Sequence, residues 1–168
     1  MILEITQYGN PILRKKCQLV TEVTDEIKKL SEDMVETMVH AQGVGLAAPQ
    51  VDRDLQLAIV DVSHDPEYLM PLIFMNPKLE FGAEKELSTE GCLSIQEITA
   101  PVRRPIEVKA TLKLLDGRTI LVETDGLLSR AIQHETDHLN GILFTDRLST
   151  ASKVSIRRKL KRLGHNAQ

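Results

Sequence analysis

The chain has 168 residues, 42% of them hydrophobic and 27% charged, with aromatic residues at only 3% and two cysteines. That composition describes one ordinary globular domain with an aliphatic core; it argues against a disulfide framework and leaves few rings for stacking on single-stranded nucleic acid. The net charge of −3 conceals an asymmetry, because residues 147–168 hold seven basic residues and no acidic one while residues 1–146 hold 14 basic and 24 acidic, and a basic tail on an acidic body points to an acidic or nucleic-acid partner.

The first residues, MILEITQYGN, have neither a basic leader nor a long apolar run. No segment approaches membrane-spanning length, so a cytoplasmic protein without a membrane partner is expected. A first helix is expected over TDEIKKLSEDMVETMVHAQG, capped by Thr24 or Asp25 and stopped near Gly43. Ile27, Leu30, Met34, Met38 and Ala41 recur there at helical spacing. LQLAIVDV and LIFMNP read as short buried strands, and STEGCLSIQ as an extended segment. PIEVKATLKLLDGRTILVET reads as a hairpin: Ile106, Val108, Ala110, Leu112 and Leu114 alternate with more polar neighbours, and Asp116-Gly117 is a strong turn signal. A second helix is expected from about Asp125 to Asn140, and a third, basic one near Ala151 to Leu163. The expected class is α+β. Mixed or antiparallel strands would pack around a central metal-binding helix, with an N-terminal helix, a single catalytic domain over 1–147 and a basic helical tail over 148–168.

The second helix contains AIQHETDHLNG, with the pattern His-Glu-x-x-His. Residues four apart share a helix face, so His134 and His138 project together, and Leu127 and Ala131 continue their stripe upstream toward the core. Two neutral imidazoles so spaced can grip one divalent cation. Glu135 lies about a hundred degrees round the helix. From there it can reach a metal-bound water as general acid/base without being a ligand. The bland alternative, a chance pattern, would bury two unpartnered histidines at a cost.

A third ligand is then required. No Glu follows Glu135, and Asp146 and His165 are the only later candidates outside the motif, the latter close to the end. Attention therefore turns upstream to Cys92, beside Gly91. A lone cysteine is more often a buried hydrophobe, which is the reading for Cys17. For Cys92 the missing ligand, the want of a second useful cysteine and the adjacent glycine favour ligation of zinc or ferrous iron. A Cys-His-His site keeps one position for water, and implies metal-assisted hydrolysis of an amide or ester.

QGVGLAAPQV, residues 42–51, is the third notable stretch. On its own it reads as a helix-to-strand connection, and it lacks the ending of a phosphate loop. Gln50 is the informative residue, since a neutral amide near a metal can donate to an oxyanion.

Together, GVGLAAPQ, EGCLS and QHETDHLNG, in this order, resemble the three signature motifs of the peptide deformylases, and NPILRKKC resembles that family's N-terminal segment. The resemblance implies that Cys92, His134 and His138 ligate one divalent ion, typically ferrous iron, with zinc, nickel or cobalt able to replace it in preparations. It implies that Glu135 is the general acid/base, and that Gln50 and the Leu93 N–H form the oxyanion hole. It implies that Gly45 pairs with the bound peptide through its backbone. The substrate would be an N-formylmethionyl peptide, attacked by metal-bound water to release formate. Val44, Leu127 and Ala131 lie near the motifs and are expected as walls for the methionine side chain. Three positions depart from the family pattern: Gln96 stands where Pro is frequent, Thr99 where many members carry Arg, and Asp52 where Gly is common.

The tail SKVSIRRKLKRLGHNAQ carries Ile156, Leu160 and Leu163 on one stripe. It reads either as a solvated helix packed by that stripe or, as the resemblance implies, as a contact to ribosomal RNA. A general metalloprotease would need a later third ligand, and a non-catalytic metal-stabilised module could dispense with Glu135 and Gln50. His40 and His64 read as surface or packing residues.

Overall fold

A computed structural model describes residues 1–62 and 67–166, the last two by backbone alone; His64 lies outside the described residues. The elements are α1 (Asp25–His40), β1 (Gly45–Ala47), β2 (Leu57–Val60), β3 (Leu72–Phe81), β4 (Lys85–Cys92), β5 (Ile95–Pro105), β6 (Val108–Lys113), β7 (Thr119–Thr124), α2 (Gly126–Leu139) and α3 (Thr150–Asn166). Five strands form an antiparallel sheet in the order β1-β2-β3-β6-β7, and β4 and β5 form a separate two-stranded sheet.

α1 starts as its sequence suggests, with the Thr24 hydroxyl accepting from Ile27 N–H. Its end falls earlier than Gly43. Gln42 takes the left-handed conformation at φ +59, and Gly43 N–H returns to Met38 C=O while Gln42 N–H returns to Val39 C=O. That double return satisfies the last free carbonyls of the helix. The expected hairpin is β6–β7, closed by Gly117 at φ +89 with the Asp116 carboxylate accepting from Arg118 N–H.

α1 covers one side of the sheet: Met34 and Met38 pack with Leu46, Leu57, Ile59 and Met75. α2 covers another region, its Leu128, Ala131, Ile132 and Leu139 meeting Ala47, Ala58, Val60 and Phe74. Each such side chain contributes about 1.5–3 kcal/mol by leaving water. Ten of the fourteen residues of α2 are buried, so its polar groups face protein rather than solvent and must find partners there. A third cluster joins Ile98, Ala100 and Val102 of β5 to Leu143, Phe144 and Ile156, and this seats α3 on the body.

The β4–β5 pair goes beyond the expected extended segment around Cys92. β5 is eleven residues long and buries Ile98, Ala100, Val102 and Arg104 at alternate positions. Strand spacing puts those four on one face. Among the described residues no helix is long and apolar enough to cross a membrane.

Candidate metal centre

Three elements meet at one end of α2. β1 runs so close to the helix that a side chain on Gly45 would enter the Glu135 carboxylate. The chain then turns through Ala48–Val51, which buries Gln50, and leaves through Asp52 at φ +61. The left-handed backbone at Asp52 is the physical reason a glycine suits that position. β4 ends at Cys92 after a shift in register between Glu90 and Cys92, where Gly91 sits.

The possible ligand atoms of Cys92, His134 and His138 all lie within 4.8 Å of one another. Cys92 Sγ stands 3.4 Å from His138 Nε2. Tetrahedral bonds of ordinary length to sulfur and nitrogen would separate those two atoms by about 3.6 Å. His134 commits Nδ1 to Glu90 Oε1 at 2.9 Å, which leaves Nε2 for the triad. His138 Nδ1 is buried and has no hydrogen-bond partner among the described residues. This soft and nitrogenous donor set, with His138 buried and Cys92 and His134 half-buried, fits a single divalent cation such as zinc or ferrous iron.

The remaining predicted residues surround the triad. Gln50 accepts from Ala47 N–H at 3.0 Å and turns Nε2 toward Ser94 Oγ at 3.0 Å and Cys92 Sγ at 3.5 Å. Ser94 N–H also points at the sulfur, 3.4 Å away. The Leu93 carbonyl accepts from Gln7 Nε2 at 3.2 Å. A cavity of about 660 Å³ opens beside these groups, with Val44, Gly45, Gln50, Leu93, Leu127 and Glu135 among its walls. Leu127 does not continue a buried stripe, as the helical spacing suggested: it is exposed at the cavity mouth, as is Val44, while Leu128 turns into the core. Asp146 stands apart from the triad, accepting from Leu143 N–H and from Arg14. The side chain of His165 lies outside the described residues.

Burial pushes the Glu135 carboxyl up to about 7, against the pull of the neighbouring His134 charge. Such a carboxylate is poised to exchange a proton near neutrality. Burial also opposes a charge on His134, but Glu135, Cys92 and Glu90 together outweigh it and raise that imidazole well above its usual range. His138 is pushed well below by burial and then by His134. A cation held by both imidazoles would require each to be neutral, so its binding would displace a proton from His134.

Sequence reasoning passed over a ladder of charges behind the triad. Arg104 donates to both oxygens of Glu90, at 2.7 and 3.0 Å, and to Asp137 at 2.8 Å. Arg147 grips Asp137 with two further bonds, at 2.6 and 2.7 Å. Burial alone would raise Glu90, yet His134 and Arg104 hold its carboxyl down to about 2. The signal was present in β5, where Arg104 interrupts an apolar period-2 face. A buried ion pair of this kind contributes little net stability, since desolvation offsets the attraction; here Arg104 holds the Glu90 carboxylate that in turn pairs with His134 Nδ1 and orients that ring.

The chain matches the family model described as polypeptide deformylase over residues 2–154. It is 44% identical to a protein of Methylacidiphilum infernorum named peptide deformylase, over 97% of this chain and 93% of that relative. Among solved structures it resembles the peptide deformylase of Thermus thermophilus, with a TM-score of 0.89 at 35% identity over 99% of each chain. It also resembles that of Synechococcus elongatus in complex with actinonin, with a TM-score of 0.87 at 38% identity over 96% of this chain and 86% of that one.

Proposed function

The chain belongs to the polypeptide deformylase family, and on that premise we propose that it hydrolyses the formyl group from the N-terminal methionine of new polypeptides, releasing formate. The observation that carries this reading is the convergence of Cys92, His134 and His138 beside a buried Glu135, with Cys92, His134 and Glu135 on the wall of one open cavity. Cys92, His134 and His138 would hold the cation, ferrous iron in the native protein, with zinc, nickel or cobalt able to take its place. When bound, the cation supplies a Lewis acid that acidifies water and polarises the formyl carbonyl.

The protein's own groups do the rest. Glu135 takes the proton of the attacking water and delivers it to the leaving amine. Burial raises its proton affinity to near neutrality, where the carboxylate can take a proton and the acid can still give it up. Negative charge growing on the formyl oxygen is met by the Gln50 amide and the Leu93 N–H. Gln50 is held for this by Ala47 N–H on its oxygen, which fixes the direction of its NH₂. The Gly45 backbone pairs with the peptide at the cavity edge, and Val44 and Leu127, apolar and exposed there, receive the methionine side chain. A thiolate ligand makes the centre sensitive to oxidation.

α3 turns Lys153, Arg157, Arg158, Lys159, Lys161 and Arg162 to solvent. That cluster supports ribosomal RNA as the partner of the tail. The packing of Ile156, Leu160 and Leu163 on the body is compatible with such a role, because it leaves the cations outward.

Formate release from formyl-Met-Ala-Ser by the iron- or cobalt-loaded protein tests the function, with Glu135→Ala as control. Release by wild type and its loss in the variant are expected. A loaded wild type that releases no formate would overturn the assignment.

A further inference from the structure

The triad is assembled from two bodies that share no strand ladder. Cys92 belongs to the β4–β5 pair, a sheet of its own, whereas His134 and His138 belong to α2. The distance between sulfur and imidazoles is therefore set by whatever ties that pair to the helix. The ties are polar. Gln133 Nε2 donates to Pro105 C=O at 2.9 Å, and Arg104 joins Glu90 to Asp137.

The most extensive tie starts from α2 itself. Arg130 Nη1 donates to Glu90 Oε2 at 2.6 Å and to Val102 C=O at 3.0 Å, and Nη2 donates to Glu86 C=O at 2.8 Å. One side chain of the helix thus reaches β4 at two residues and β5 at one. Arg130 also lies one helical turn before His134, and the two hold the same carboxylate, Arg130 at Oε2 and His134 at Oε1. Its side chain is only 14% exposed, and its bonds to Glu90 and Val102 are partly buried, while that to Glu86 lies at the surface.

We propose that Arg130 is a positioning residue of the metal centre: it clamps the β4–β5 pair onto α2 so that Cys92 faces His134 and His138 at ligating distance. Arg104 makes the narrower tie: among the described residues it meets the helix at Asp137 alone, whereas Arg130 carries the helix to three residues of the pair. A lysine could satisfy part of the clamp, since an ammonium lacks the planar fork that reaches three acceptors at once. The proposal rests on the reading that Cys92, His134 and His138 hold the cation.

The test compares wild type, Arg130→Met and Arg130→Lys, with the exposed turn variant Arg118→Met as a distant control. Each is loaded with Co²⁺, whose thiolate charge-transfer absorption reports the Cys92 bond, and is then challenged with a chelator. Arg130 supports His134 through Glu90, so Arg130→Met is expected to bind Co²⁺ about tenfold more weakly, the lower end of the effect of removing a ligand's supporting partner, and to surrender it correspondingly faster. Its thiolate band should weaken, Arg130→Lys should fall between, and Arg118→Met should match wild type. An Arg130→Met protein that only unfolds earlier when metal-free, yet keeps the wild-type band and transfer rate, overturns the proposal; so does an Arg130→Lys protein that folds and behaves as wild type in both. If wild type itself takes up Co²⁺ without a thiolate band, the ligand reading fails first, and this inference with it.

Discussion

Gly45 and Glu135 approach so closely that a β-carbon on the glycine would lie 2.8 Å from Cδ of the glutamate and nearer still to Oε2. Strand β1 and helix α2 are thus in contact at the group proposed to move the proton, and the absence of one methyl permits it. Gly45→Ala must displace the Glu135 carboxylate or the β1 backbone. Misplacing a reacting group by about 1 Å can cost about 100-fold in rate. We expect kcat for formyl-Met-Ala-Ser to fall by that order while Co²⁺ uptake persists. A variant with wild-type kcat would refute the contact's importance.

The two cysteines should differ sharply in reactivity. Cys17 is buried, and that burial, aided by the nearby Asp54, pushes its thiol up to about 11. Cys92 is half-buried at the cavity. Iodoacetamide at pH 8 should label Cys92 in chelator-treated protein and spare Cys17, with Co²⁺ protecting Cys92. Peptide mass spectrometry reads both sites. Labelling of Cys92 that ignores the cation would count against its role as ligand.

The same thiol predicts an alkaline slope in stability. A folded-state proton affinity raised from 9.0 to about 11 gives a contribution that is complete below pH 9 and is lost as the pH rises toward 11. In that window the unfolded chain releases the proton while the folded chain retains it. Unfolding midpoints measured from pH 8 to pH 10.5 should decline, and Cys17→Ala should flatten the decline. An identical slope in the variant would assign the effect elsewhere.

Two glycines with positive φ separate backbone strain from steric exclusion. Gly117, at φ +89, has open space around a β-carbon, so Gly117→Ala should cost about 1 kcal/mol for the left-handed backbone alone. Gly141, at φ +74, would set its β-carbon 2.5 Å from the Arg14 carbonyl oxygen. The atoms it would meet, in Arg14 and Lys15, are all backbone, because that segment passes close by the end of α2. Gly141→Ala should therefore cost distinctly more, about 2 kcal/mol or above, in denaturant unfolding. Equal losses would mean that the passage relaxes freely.

The tail is best tested by charge rather than by deletion. Removing residues 152–168 would strip Ile156 from its seat among Leu143, Phe144 and Val102. Reversing Arg157, Arg158 and Lys161 to Glu leaves that seat intact, because all three are exposed. Co-sedimentation with ribosomes should weaken and become less steeply dependent on salt. Turnover of the short formylated peptide should not change. Undiminished co-sedimentation would remove the tail from the proposed partnership.

Local chemistry wrote much of this molecule into its sequence. The helical spacing of Met34 and Met38, the Asp116-Gly117 turn and the four-residue interval of His134 and His138 each depend on neighbours within a turn or a strand, and each is found where that spacing puts it. The same logic misjudged Leu127, since helical periodicity says which residues share a face but not how far along the helix the core extends. Only the tertiary structure could decide which distant charges meet. Glu90 and His134 are 44 positions apart, Arg104 and Asp137 33, and Arg130 and Glu90 40. No periodicity encodes those pairings. They arise because a helix buried on most of its surface must satisfy its polar groups from within, and the β4–β5 pair is the neighbour that brings the complementary ones.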